Sequence, residues 1–267
     1  MIKIKNNFNL DNTITCGQIF RFKKEKNKYI VILSDRVISL VIDGDYIIIN
    51  SSNEDDLENV INDYFDLNRD YTSLLSKVNI DKKILEFNKG YKIIHQDPYM
   101  TLIEYIISQN NKVERISKSL ELLSTKYGEK IEFNGKEYYL FPSIDKLRKL
   151  SIEDFRECKV GFRDKYLYDI VHSNINLESI NNMDSNTALK YLESFKGIGP
   201  KVASCILLFA YQRFDVFPID TWVKKHMKDT YNIEGEKSIR EYTTKRYREY
   251  SGLVIQYMFN YKRNKDE

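Results

Sequence analysis

The chain has 267 residues and a net charge of +3, with 42% hydrophobic and 30% charged residues, a composition that excludes disordered, fibrous and membrane-embedded classes. Its cysteines (Cys16, Cys158, Cys205) form no CxxC pair and its histidines (His95, His172, His226) no HExxH or HxxxH spacing. These spacings argue against a structural zinc, a four-cysteine iron–sulfur cluster or a histidine-based metal centre, and suit a reducing cytosol. The start "MIKIKNNFNL" alternates, so no signal peptide is expected, and the longest apolar run, residues 202–211, is far short of the ~20 that span a bilayer; a soluble protein is expected.

Up to about residue 50 the apolar pattern has period two, broken by turn signals such as "DGD", which predicts an antiparallel sheet with hairpins. From Asn53 the period lengthens, and "NEDDLENVINDYF" opens with acidic residues and continues at helical spacing. Beyond it, helices are expected over 98–108, 113–127, 151–158, 164–171, 187–195, 201–211, 221–231 and 253–263. "QDPY" places Asp97 as an N-cap with Pro98 in the first turn, and "SIED" from Ser151 is a capping-box pattern. "FNGKEYYLFPS" reads as a short extended excursion. There is no repeat and no low-complexity linker, so the layout is a small sheet-containing lobe followed by a larger helical body.

The segment "KGIGPKVASC", residues 196–205, carries the chemistry. Gly197 and Gly199 permit the positive φ of a tight turn, Pro200 suits a first helical turn, and an apolar helix follows. Lys201 gains nothing from the positive end of that helix. With the preceding helix, the segment matches a helix–hairpin–helix, in which outward backbone N–H groups grip a DNA phosphate; a plain turn between two helices is the alternative. Nineteen residues after Lys201, "FPIDTWVKKHM" sets Asp220 before an amphipathic helix, as an N-cap or as a partner to the lysine. An amine and a carboxylate converging beside a phosphate grip suit nucleophilic attack on a nucleoside, since lysine attacks in its neutral form and a carboxylate stabilises positive charge on the sugar.

"FKGIGPKVASCILLFAYQRFDVFPIDTWV" resembles the hairpin and aspartate loop of the helix–hairpin–helix DNA glycosylase superfamily, whose bifunctional members carry the hairpin lysine. "LDNTITCGQIFRF", "HQDPYMTLIEYIISQNNKVERI", "FPSIDKL", "GFRDKY" and "YSGLVIQYMF" follow the order of motifs in 8-oxoguanine DNA glycosylases. The resemblance implies an α+β fold: an N-terminal lobe with a twisted antiparallel sheet plus helices over 1–92, then a mostly α-helical body over 93–267 containing the helix–hairpin–helix.

The same resemblance implies that Lys201 attacks the sugar C1′ with Asp220 as partner carboxylate. It implies that the Gly17 carbonyl accepts the N7–H that distinguishes 8-oxoguanine from guanine, and that Cys205 and Phe259 sandwich the flipped base. The family's base-edge glutamine falls on Ile255, with Gln256 next to it, and Trp222 is a candidate for the pocket wall. Asn110, Arg115 and Arg163 match residues that fill the vacated stack and read the opposite cytosine, with Phe162 as a wedge. On pattern alone Gly17 also reads as a turn, Cys205 and Phe259 as core, and the arginines as phosphate or surface contacts. The implied activity is excision of 8-oxoguanine, preferably opposite cytosine, through a lysine Schiff base. No cofactor is required, although a monovalent or calcium ion at the hairpin is compatible with the superfamily. The expected partner is double-stranded DNA, and the protein is expected to be a cytoplasmic, prokaryotic monomer with no obligate protein partner. The competing readings are a glycosylase for other oxidised or alkylated bases and a catalytically silent DNA-binding protein.

Overall fold

The computed structural model describes residues 1–264. Strand β1 (Ile2–Lys5) is followed by helix α1 (Leu10–Thr15), then β2 (Phe22–Glu25), β3 (Lys28–Ile32), β4 (Val37–Asp43) and β5 (Tyr46–Ser51). The strands form one antiparallel sheet in the order β1–β5–β4–β3–β2, with pairs such as Val31↔Ile38 and Leu40↔Ile49 setting the register. β3 is apolar on both faces for a reason. Its alternation sends Tyr29 and Val31 into a core with Leu40, Ile47 and Ile49, and Ile30 and Ile32 against Phe133 and Tyr138. The period-two reading of the first fifty residues misses α1, whose cap Asn9 accepts a hydrogen bond from the Asn12 N–H at 2.9 Å.

Helices α2 (Leu57–Tyr64), α3 (Tyr71–Ser76) and α4 (Lys82–Phe87) lead to the body. There follow α5 (Pro98–Ser108), α6 (Val113–Tyr127), a hairpin of β6 (Lys130–Phe133) and β7 (Lys136–Tyr139), α7 (Ile144–Leu147), α8 (Ile152–Glu157) and α9 (Asp164–Val171). The chain ends in α10 (Ser185–Glu193), α11 (Pro200–Tyr211), α12 (Thr221–Tyr231), α13 (Glu236–Tyr247) and α14 (Ser251–Arg263). Asp97 caps α5, accepting from Met100 N–H at 2.7 Å, and Ser151 with Asp154 forms the capping box of α8. α5, α6, α9 and α12 keep the bounds read from sequence. The helix expected at 187–195 starts earlier, because Asp184 accepts from the Asn186 and Thr187 N–H groups. The expected excursion is the β6–β7 hairpin.

α5 and α11 pack against each other at the centre of the body and are buried almost all round, as their apolar sequences require. Tyr105 and Phe209 stack between them, centroids 5.4 Å apart. The lobe is tied to this body by Gln18, which is fully buried. Its Nε2 donates to Thr13 O at 2.8 Å and Lys92 O at 2.9 Å, its Oε1 accepts from Ile94 N–H at 2.9 Å, and its own carbonyl accepts from Gln96 Nε2 at 2.8 Å. The fold is α+β, and among the described residues no helix is long and apolar enough to cross a membrane.

Candidate active site

Two helices turn matching stripes toward one another. On α11, Lys201, Cys205 and Phe209 stand four residues apart, and on α14 so do Ile255, Phe259 and Arg263; all six line one cavity of about 180 Å³. Asp220 enters from the start of α12, Gly17 and Phe20 from the lobe, and Tyr105, Ser108 and Asn111 from α5 and the turn after it. The cavity therefore collects Lys201, Asp220, Gly17, Cys205, Phe259 and Gln256 from segments far apart in sequence. Its walls are largely apolar around three charged side chains, Lys201, Asp220 and Arg263.

The hairpin places Lys201. Gly197 has φ +90°, and a Cβ there would lie 2.7 Å from Tyr166 Cβ, so both the turn and the close approach need glycine. Gly199 corrects the expectation of two positive-φ glycines: it is the N-cap of α11 with φ −94°, in ordinary extended backbone. Nothing lies within 4 Å of where its Cβ would be, so the backbone at the helix start is open to close approach by another molecule. Gln109 Nε2 fixes the turn from behind, donating to Gly197 O at 3.0 Å. Lys201 is half-buried, one residue after Pro200.

Asp220 is the N-cap of α12 and also lines the cavity that Lys201 lines. One carboxylate oxygen accepts from Val223 N–H at 2.8 Å and caps α12, while the side chain faces the cavity. Burial pushes the Cys205 thiol up to about 12, against the lowering effect of Lys201 and with some help from Asp220. The cysteine is a neutral, polarisable wall at physiological pH and no rival nucleophile to the amine.

Gly17 sits at φ +91°, immediately before the anchored Gln18. Gln256 lines the cavity but is only 7% exposed, and its Nε2 donates to Tyr91 Oη at 3.1 Å. Tyr91 Oη in turn lies 3.2 Å from Cys16 Sγ.

Trp222 does not line the cavity. It stacks on His226, centroids 5.1 Å apart, and meets the Phe259 ring edge-on at 5.2 Å. The α12 flank that carries both rings packs on α14, so Trp222 supports the wall from behind. Asn110 is exposed at φ +46° between α5 and α6, Arg115 is exposed on the first turn of α6, and Phe162 is 57% exposed. Arg163 departs from the expectation of a surface contact with a base. It is buried, donating to Val160 O at 2.8 Å, to Asn110 O at 3.0 Å and to Gln109 O, with its guanidinium 4.3 Å from the Phe162 ring centroid. Four of its five N–H donors are engaged there, and they hold the turn that carries Asn110 and, through Gln109, the hairpin.

Sequence reasoning passed over Asn111, Tyr105 and Arg263. Of these Arg263 had a signal, being one helical turn beyond Phe259. Among the described residues no three His, Cys, Asp or Glu side chains converge as a metal set. The hairpin carbonyl of Gly197 already accepts one hydrogen bond and retains a second lone pair.

A glycine-turned hairpin between two helices, beside a largely apolar cavity lined by a lysine and an aspartate, defines the class, and a family model agrees. The chain belongs to the HhH-GPD superfamily of base excision DNA repair proteins, whose model matches residues 103–249. Residues 1–102 match the model described as "8-oxoguanine DNA glycosylase, N-terminal domain". The Clostridium acetobutylicum 8-oxoguanine glycosylase/lyase, solved with double-stranded DNA containing cytosine opposite 8-oxoguanine, is 39% identical. The match covers 99% of this chain and 94% of that one, with a TM-score of 0.92. Within the superfamily, then, the chain is a member of the 8-oxoguanine DNA glycosylase/lyase family. The probable N-glycosylase/DNA lyase of Methanothermobacter thermautotrophicus is 29% identical over 74% of this chain and 71% of its own length. The 3-methyladenine DNA glycosylase of Archaeoglobus fulgidus shares the fold, at 20% identity, 99% coverage of both chains and a TM-score of 0.82.

Proposed function

We propose that the protein excises 8-oxoguanine from double-stranded DNA and then cleaves the strand, as a bifunctional glycosylase/lyase of base excision repair. The observation that carries this reading is the opening of Lys201 and Asp220 into one cavity together with Gly17, Cys205 and Phe259. The helix–hairpin–helix holds a backbone phosphate at the open Gly199 helix start, and the lesion nucleotide leaves the stack for the cavity. There Lys201 Nζ attacks C1′. The C1′–N9 bond breaks, its electron pair leaves with the base, and the proton shed by the newly bonded nitrogen passes to the base. Asp220 stabilises the positive charge that develops on the sugar. The C1′–N adduct opens to a Schiff base, which acidifies the C2′ proton; its loss expels the 3′ phosphate by β-elimination. Amine and carboxylate suffice for these steps, so the mechanism calls for no organic cofactor.

Phe162, Asn110 and Arg115 form the exposed rim that meets the DNA around the extruded nucleotide, and cytosine is the preferred opposite base. Arg163 serves this rim from within, holding the turn that carries Asn110. One chain supplies every group named, so this reading calls for no second copy. The test is release of free base and strand nicking from four duplexes carrying 8-oxoguanine opposite each natural base, beside duplexes with alkylated purines and oxidised pyrimidines. Fastest release from the 8-oxoguanine:cytosine duplex is expected. Preferential release of an alkylated base would replace this reading with the other use of the scaffold, and binding without release would leave a silent DNA-binding protein.

A further inference from the structure

The cavity contains a cation that the mechanism above leaves unused. Arg263 ends the α14 stripe that begins with Ile255 and Phe259, so the helix aims it at the same space as the aromatic wall. Its guanidinium lies against the backbone of Gly17: a Cβ built on that glycine would be 2.5 Å from Arg263 Nη1 and 3.7 Å from Cζ. A side chain at position 17 would displace the guanidinium from this place. Of the α14 stripe, Ile255 and Phe259 carry no hydrogen-bonding side-chain group, so among the three Arg263 is the one that can donate into the cavity.

We propose that Arg263 is a specificity-determining residue that reads the oxidised base directly, a reading that rests on the function proposed above. In 8-oxoguanine N7 carries a hydrogen and lies between two carbonyl oxygens, O6 and O8. A guanidinium set against Gly17 places donors beside a backbone acceptor. When the Gly17 carbonyl takes N7–H, Arg263 donates to a flanking carbonyl oxygen of the base. The two groups divide the work. Guanine also offers acceptors to an arginine, so Arg263 supplies affinity for an oxygen-rich purine edge. Gly17 supplies exclusion, because the lone pair on guanine N7 faces its carbonyl. Ile255, Phe259 and Cys205 then need only provide apolar walls.

The experiment compares wild type, Arg263→Met and Arg263→Lys in two single-turnover assays: release of base from an 8-oxoguanine:cytosine duplex, and strand cleavage of the same duplex carrying a preformed abasic site. The abasic substrate has no base for Arg263 to read, but needs the same fold, DNA grip and Lys201. The expected result is that Arg263→Met lowers the ratio of base release to abasic cleavage about ten- to hundred-fold, the range for losing a hydrogen bond from a charged group. Arg263→Lys restores part of it, because an ammonium donates without the planar fork. An unchanged ratio in Arg263→Met overturns the proposal, whether both rates survive or both fall together; the latter marks a phosphate contact or a purely structural role. A wild type that cleaves abasic sites yet releases no 8-oxoguanine overturns the proposed function itself, and this inference with it.

Discussion

Replacing Gly17 with alanine tests how the cavity wall is built. The backbone there has φ +91°, which L-residues rarely adopt, and an alanine held in such a conformation costs about 1–2 kcal/mol. The new Cβ would also stand 2.5 Å from Arg263 Nη1, so the guanidinium must retreat by roughly 1 Å to reach ordinary contact distance. That atom ends a flexible side chain, so its retreat adds little to the stability loss. Gly17→Ala should therefore lose about 1–2 kcal/mol in urea denaturation, and in a thermal melt its Tm should fall by roughly 2–8 °C for a chain of this size. Functionally the displaced guanidinium no longer meets the base, and single-turnover release of 8-oxoguanine should fall about ten-fold or more. The Gly17→Ala, Arg263→Met double variant should then lose less activity than the two single losses combined, because the clash and the missing donor are one defect. Wild-type stability in Gly17→Ala would refute the strain argument. Fully additive activity losses would refute the coupling of Gly17 to Arg263.

Two further outcomes are expected. Asp220→Asn keeps the cap on α12, since asparagine accepts from the same Val223 N–H; stability should stay within about 0.5 kcal/mol while base release falls by ~10²-fold or more. Thermal melts beside single-turnover assays decide this, and retained activity would remove Asp220 from the chemistry. Glu104, fully buried on α5 with both carboxylate oxygens unpaired, is pushed up by burial to about 8 from an ordinary 4.5, with Arg21 opposing the shift. The folded state thus keeps a proton that the unfolded chain gives up, so stability falls as pH rises between those two values, by at most ~1.4 kcal/mol per pH unit, and levels off above them. Glu104→Gln should flatten that decline in urea denaturation between pH 5 and 8. An equal decline in both proteins would mean that Glu104 is ionised in the fold across this range.

The parts that were readable from sequence are those governed by local rules. The Asp97 cap, the Ser151 capping box and the amphipathic periods gave helix bounds closely, because each depends on residues within a turn or two. α1 was missed because six residues carry no clear helical period. α13 was not singled out because its buried stripe of Ile239, Thr243 and Tyr247 has a polar residue in the middle. Lys201, Asp220, Gly17, Cys205, Phe259 and Gln256 are legible by motif, whereas Tyr105, Asn111, Arg263 and the contacts among the cavity residues are not. The Cys16–Tyr91–Gln256 chain links segments 75 and 165 residues apart, and nothing local marks it. Arg163 shows the same limit: its residue type suits a base or a phosphate, but the carbonyls of Val160, Gln109 and Asn110 decide where it points. Trp222 lies one residue outside the stripe that α12 offers to the cavity, through Asp220 and Val223.

The central claim is that Lys201 becomes bonded to the sugar of the lesion nucleotide. Its most direct measurement is borohydride trapping with a duplex carrying one 8-oxoguanine opposite cytosine, for wild type and Lys201→Gln side by side. The account predicts a protein–DNA adduct in the wild type, with peptide mass spectrometry placing it on Lys201, and none in the variant. Base release by the wild type with no trapped adduct, or an adduct that persists in Lys201→Gln, would contradict it.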